Sequence, residues 1–247
     1  GAESGEVNAT LRGCPLVLPE QYRCVNFVIF GPHVYLKFPG DYHADPSTSI
    51  LHIFENANFS NINLTGARLS KINLRGANLS NADLGEAVMF GAGLSDANLQ
   101  GANLSSAQLT YANLSGADLI GANILGCSFN YADMVDADLT GVNLQHLSGY
   151  GVVLSGIDLA GANLSSIFLP EADLSDANFE GANLSSANLP YANLAGADLS
   201  SADLTGAVLS SADLTGADLT GTELVGAIWQ WTICPDGTNT GNSGSCP

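Results

Sequence analysis

From Ala57 to Trp231 the chain repeats one order of side chains every five residues: a small residue, a polar one, a large apolar one, then two small or polar residues. The run holds 35 consecutive units, 57–61 through 227–231, with no slip in phase. The large position is Leu in 27 units and apolar in 34, the small position is Ala in 26, and the residue between them is Asn or Asp in 24. A period of five matches neither the 3.6 of a helix nor the 2 of a flat strand. It fits a chain that turns a corner after every unit and sends a large and a small side chain inward on each side. Segment 101–120 nearly recurs as 181–200, and 161–180 opens on the same Gly-Ala-Asn-Leu-Ser-Ser. These offsets are multiples of 20 residues, which predicts four units per coil.

The unit Ala-(Asp/Asn)-Leu-x-x, as in Ala117-Asp118-Leu119, Ala197-Asp198-Leu199 and Ala217-Asp218-Leu219, resembles that of the pentapeptide-repeat proteins. The resemblance implies an all-β fold, a right-handed quadrilateral parallel β-helix of about nine coils of four pentapeptides with capped ends. The expected division is an N-terminal segment and cap over 1–54, the β-helix over 55–231 and a C-terminal cap or tail over 232–247. In such a stack each Leu lies on the Leu twenty residues away, and each buried side chain contributes roughly 1.5–3 kcal/mol. Gly149 is the one non-apolar residue at a large position, and around it the small positions swell to Val142, Leu147, Val152, Ile157 and Ile167. That pattern reads as volume moved from one interior position to its neighbours. A cavity at Gly149 is the alternative.

Residues 14–54 are richer in Pro and carry two apolar runs, 25–30 and 33–38, expected to form a hairpin that plugs the first coil. At the far end Ile228, Trp229 and Trp231 supply bulk to close the last one. Cys14 and Cys24 flank the first cap, Cys234 and Cys246 flank the tail, and Cys127 takes a small interior position. Two local pairs outside the repeats suggest two disulfides and an oxidising compartment. The alternative is four unrelated surface thiols. A zinc site is disfavoured, because the spacings are not those of zinc ligands and His33, His43, His52 and His146 do not cluster with the cysteines.

The chain carries 6 Lys and Arg against 24 Asp and Glu, a net charge of −18. All six basic residues lie within 1–75, where they balance six acids, and the 18 acids after Arg75 meet no base. Direct nucleic-acid binding is therefore not expected. With the 20-residue coil kept, Asp118, Asp138, Asp158, Asp198 and Asp218 fall in one outward column, an acidic ladder whose mutual repulsion is expected to raise the carboxyl pKa values. The opposite column has no acid, and on its side lie Phe90, Tyr111, Tyr131, Tyr150, Phe168, Tyr191 and Trp231. Those aromatics form a candidate docking face; the plainer reading is duplication of an ancestral coil.

No nucleophile with its base, phosphate loop or zinc-protease motif stands in the chain, so no catalytic residue, cofactor or metal ligand is assigned, and no activity is expected. No run of 18 apolar residues suggests a transmembrane segment. The expectation is a monomeric structural or protein-interaction rod, working on a protein or envelope partner in the periplasm or thylakoid lumen after removal of a signal peptide. The tail Cys234-Pro235-Asp236-Gly237-Thr238 resembles the ends of secreted or thylakoid-lumen members of the family from cyanobacteria. The second reading comes from other relatives, acidic rods that mimic DNA and occupy the DNA-binding groove of gyrase. Residues 76–227 carry 17 acids. Over about 36 Å of stack that is one charge per roughly 2 Å, against one per about 1.7 Å in duplex DNA.

Overall fold

The computed structural model describes residues 54–145, 147–242, 244 and 246. The expected N-terminal hairpin, Cys14 and Cys24 therefore lie outside the described residues. Within them the chain advances by parallel bridges between residues twenty apart, arranged in four columns. The first face runs through the column 58–218, the second through 63–223, the third through 68–228 and the fourth through 73–233. Each side contributes a single bridged residue, so the walls are ladders one residue wide rather than extended strands. Small and large positions both point inward: from Ala77 to Leu119 every one of them is Ala, Leu or Met and no more than 1% exposed.

One unit shows why the middle residue is Asn or Asp. The Ala97 amide donates to the Leu94 carbonyl (3.1 Å), closing the corner, while the Asn98 amide reaches back to Ala77 (2.9 Å). The Leu99 and Gly101 amides reach forward to Asp118 (2.7 Å) and Ile120 (2.9 Å). The fifth amide, of Gln100, has no carbonyl within reach and donates instead to Oδ1 of Asn98 (3.0 Å). Buried or crowded amides must find an acceptor, and the carboxamide or carboxylate two residues back supplies it. The third face lacks this residue at most levels, and there Pro170 and Pro190 stand at the turn position, where no amide exists to satisfy. Among the described residues the last of each unit has φ near +60°, as in Gly101 (63°), which a type II turn requires at its third position.

The stack is interrupted once. The first-face bridges stop at Asp138 and resume at Asp158, the second stop at Asn123 and resume at Asn163, and the third stop at Ser128 and resume at Ser148. The fourth face alone runs unbroken from Asn73 to Ile233. Among the described residues the inter-coil bonds of Ile124, Gly126, Asp136, Leu139, Gly141, Asn143, Leu144, Ser148, Asp158 and Asn163 are missing. The coils part like a wedge that opens on the second face, around Asn143. The cause lies in the interior: Leu147, Val152, Ile157 and Ile167 are buried where other coils carry Ala, while only Gly149 gives volume back. The space at Gly149 is occupied, since a Cβ there would lie 3.2 Å from Val152 Cβ and 3.3 Å from both Cβ and the carbonyl oxygen of Phe129.

At the C-terminal end the tail folds back over the third and fourth faces. Ile233 bridges Asn239 antiparallel, the Trp231 amide donates to Gly241 (2.7 Å), and Cys234 is bonded to Cys246 with Cα atoms 5.4 Å apart. Of the bulky residues expected to close this end only Trp229 is buried; Ile228 and Trp231 remain exposed. Their side chains point outward because they occupy the outward middle and turn positions of the unit. No helix among the described residues is long and apolar enough to cross a membrane.

Candidate docking surface

Phe90, Tyr111, Tyr131, Tyr150, Tyr191 and Trp231 all sit in the two-residue turns between the third and fourth faces; Phe168 lies on the third face itself. Four of them form one continuous file of rings. Phe90 meets Tyr111 edge-on at 5.4 Å between centroids, Tyr111 stacks on Tyr131 at 4.9 Å and 7°, and Tyr131 meets Tyr150 at 5.4 Å. The Tyr150 hydroxyl then donates to the Glu171 carboxylate, and that bond, with the neighbouring negative charge, pushes the phenol up to about 12. Tyr191 and Trp231 stand apart from this file, 65% and 58% exposed.

The backbone at these positions does not favour aromatics. Tyr111, Tyr131, Tyr191 and Trp231 have φ of 60°, 55°, 59° and 61°, a left-handed conformation that costs an L-residue roughly 1–2 kcal/mol. Gly91 and Gly151 occupy the same column. Gly151 also makes room: a Cβ there would come within 2.7 Å of the Tyr131 ring, which lies over it. Ring stacking returns part of the conformational cost at Tyr111 and Tyr131, at about 0.5–1.5 kcal/mol per pair. It returns none at Tyr191 and Trp231.

Two expectations about the acids are corrected. The first is their position relative to the aromatics. The ladder Asp118, Asp138, Asp158, Asp198 and Asp218 does lie on the first face, opposite the third. The rings, however, occupy the corner shared with the fourth face, and that face carries Asp133, Asp173 and Asp213. Asp96, Asp136 and Asp176 follow at the turn between the fourth face and the first. The acidic surface is therefore next to the aromatic file rather than across the rod from it. Arg75, at the same turn one coil earlier, pairs with Asp96 at 3.3 Å, and both side chains are exposed.

The second correction concerns protonation. Oδ1 of each ladder Asp accepts the amide two residues on, at 3.1 Å for Asp118, 2.9 Å for Asp138, 3.2 Å for Asp158, 2.9 Å for Asp198 and 2.8 Å for Asp218. Where that residue is Thr its hydroxyl donates as well, and this bond, followed by the amide, holds Asp138 and Asp218 below the ordinary carboxylate range. At these two residues hydrogen bonding to the charged form outweighs repulsion from their neighbours. The interruption of the stack also separates Asp138 from Asp158, splitting the ladder in two.

Cys127 is a buried free thiol that donates to the Leu104 carbonyl (2.7 Å), and burial pushes it up to about 12. Thr222 and Thr232, also at small positions, donate to Leu199 and Leu209 in the same way (2.8 and 2.7 Å). Among the described residues no group of three His, Cys, Asp or Glu side chains is placed to hold a metal ion.

The family model for pentapeptide repeats matches residues 53–91, 87–124, 107–145, 153–189 and 192–228, well over half of the chain. The chain belongs to the pentapeptide-repeat proteins. Its match breaks between 145 and 153, at the interruption of the stack. Among solved structures it is similar to HetL, a pentapeptide repeat protein involved in heterocyst differentiation regulation from the cyanobacterium Nostoc sp. strain PCC 7120, at 34% identity over 75% of this chain and 90% of that one, with a TM-score of 0.41. It is also similar to QnrB1, a plasmid-mediated fluoroquinolone resistance protein, at 23% identity over 67% and 86%, with a TM-score of 0.47. A pentapeptide repeat protein from the Arabidopsis thaliana thylakoid lumen shares 31% identity over 37% of this chain and 64% of that one, with a TM-score of 0.27. No curated protein matches the chain.

Proposed function

We propose that this pentapeptide-repeat protein is a non-enzymatic interaction module, a right-handed four-sided β-helix of about nine coils that binds a protein or envelope partner outside the cytoplasm. The observation that carries the reading is the set of exposed aromatics, Tyr111, Tyr131, Tyr191 and Trp231, held at left-handed backbone positions. Tyr191 and Trp231 bear the conformational cost of that backbone with no ring contact in return. Strain kept without local compensation points to function, and exposed Tyr and Trp are enriched at interfaces. Duplication of an ancestral coil accounts for Tyr111, Tyr131 and Tyr191 but not for Phe90, Tyr150 and Trp231, which arise from other residue contexts. The extracytoplasmic placement rests on the Cys234–Cys246 bond.

The test is the triple substitution Tyr111→Ser, Tyr131→Ser and Tyr191→Ser. Loss of partner capture from an envelope fraction of the host, with a cooperative melt retained, supports the docking role. Unchanged capture with a lowered melting temperature assigns the rings to stability and ends it. The DNA-mimic reading is supported by the charge density of the rod alone. Inhibition of gyrase supercoiling by the purified protein would establish it in place of the first.

A further inference from the structure

The fourth face, with the aromatic file along one edge and acids along the other, has a repeat of its own. Asp133, Asp173 and Asp213 recur every second coil, separated by Val153 and Asn193. In each, Oδ1 is taken by the turn amide of Val135 (3.2 Å), Ser175 (3.1 Å) or Thr215 (2.9 Å). Ser175 and Thr215 hydroxyls add a second bond to that same oxygen. Asn193 Nδ2 also donates to Oδ1 of Asp173 (3.0 Å), and among the described residues no hydrogen bond reaches Oδ2 of any of the three. A single free oxygen every second coil is a poor cage for a metal ion, which wants several ligands at one point. It suits one ammonium or guanidinium per Asp, and the neighbouring rings add attraction for the same cations. No base lies after Arg75 to occupy these positions from within the rod.

The spacing selects the shape of the partner. Two coils at about 4.8 Å advance about 9.6 Å. A polyproline-II segment rises about 3.1 Å per residue with three residues per turn, so residues on one of its edges recur every ~9.3 Å. From Asp133 to Asp213 the drift between the two repeats is about 0.6 Å, within the reach of a flexible side chain. In an extended strand, residues on one face recur every ~6.8 Å and leave the register at once. Aromatic-lined tracks are also the surfaces on which polyproline-II segments dock.

We propose that the fourth face and its aromatic edge form a track for a polyproline-II segment of a partner protein that carries Lys or Arg at every third residue. The segment lies along the rod axis, its cations on Asp133, Asp173 and Asp213 and its prolines against Tyr131, Tyr150 and Tyr191. This rests on the docking role proposed above and names the chemistry of the partner.

The probe is a fluorescein-labelled peptide of three Lys-Pro-Pro triplets, read by anisotropy against the full chain in moderate salt. Its control has the same composition, with the three lysines at alternate positions. The rod variants are Asp133→Asn/Asp173→Asn/Asp213→Asn and, with the same change in charge, Asp118→Asn/Asp158→Asn/Asp198→Asn. Asn retains the Oδ1 acceptor, so both sets keep the turns, and their melting curves verify it. The expected result is that the triplet peptide binds at least about fivefold more tightly than the control, and that only the fourth-face set weakens it, by about tenfold. Equal binding of the two peptides, equal weakening by the two sets, or no binding overturns the proposal. If the peptide fails while the tyrosine triple variant still abolishes partner capture, the docking role stands and the cationic track falls. If capture is unaffected by that variant, the docking role itself has failed.

Discussion

Gly149 offers the sharpest test of how the interior is filled, because its two possible explanations predict opposite signs. A Cβ added there meets Val152 Cβ at 3.2 Å and Phe129 Cβ and carbonyl oxygen at 3.3 Å, inside the roughly 3.5–4.0 Å optimum for carbon contacts. None of these atoms is the free end of a flexible side chain, and the Phe129 oxygen is backbone. Relief requires neighbouring coils to move, so Gly149→Ala is expected to destabilise by about 1–3 kcal/mol. At about 2–4 °C per kcal/mol for a chain of this size, the melting temperature falls by roughly 2–12 °C. Gly149→Leu, which restores the residue found at 27 of the 35 large positions, is expected to cost more still. The assay is thermal melting by circular dichroism of the three proteins side by side. If the position were an empty cavity, each added carbon would instead stabilise, by about 0.8 kcal/mol per methylene. A rising order from Gly to Ala to Leu would refute the packing account.

The interruption of the stack predicts its own exchange pattern. In hydrogen exchange read by mass spectrometry, peptides covering 139–148 should exchange at least about tenfold faster than those covering 181–200. Residues 131–134 should stay protected, since Tyr131 and Met134 keep their bonds to Tyr150 (2.7 Å) and Val153 (2.8 Å). Uniform protection across 120–165 would contradict the wedge. The lowered Asp138 and Asp218 carboxyls contribute stability that is complete above the unfolded carboxylate pKa and is lost as pH falls through their folded values, below about pH 4. Asp138→Asn/Asp218→Asn should therefore lose less melting temperature than the parent as the pH falls from about 5 to about 2; a larger loss counts against the hydrogen-bond assignment. Thiol mapping of the denatured, unreduced protein taken from its host should find Cys127 free and Cys234 and Cys246 blocked; free thiols at Cys234 and Cys246 would remove the argument for an oxidising compartment.

The four-sided coil was legible because a period of five, repeated in phase, has no helical or flat-strand solution, and the 80-residue recurrence of 101–120 set the coil at 20. The interruption at Asn143 was not. Its cause, the sum of Leu147, Val152, Ile157 and Ile167 against one Gly149, acts through total interior volume, and no single unit departs from the pattern enough to announce it. The aromatics are legible as a group, but setting them beside the middle column of the third face leaves out the neighbouring fourth face. Phe90 and Tyr150 are fourth in their units and Tyr111, Tyr131, Tyr191 and Trp231 fifth, so the turn carries them to the corner beside Asp133 and Asp173. The protonation of Asp138 and Asp218 was misjudged for a similar reason. The hydroxyls of Thr140 and Thr220 decide the direction of the shift, and the spacing of the carboxylates alone does not carry that information. Pro170 and Pro190 fall at the fourth position of their units, whose amide has no backbone acceptor in the other coils, so a missing N–H costs nothing there.

The central claim is that the corner between the third and fourth faces, with the acids beside it, is where a partner binds. The rod has no lysine after Lys71, so carbodiimide coupling of a lysine-bearing partner or the triplet peptide to the rod's carboxylates maps the contact directly. Mass spectrometry of the coupled complex should locate the new amide bonds at Asp133, Glu171, Asp173 and Asp213. Bonds concentrated at Asp83, Asp203 and Glu223 on the second face, or spread evenly over all the acids, would contradict the account.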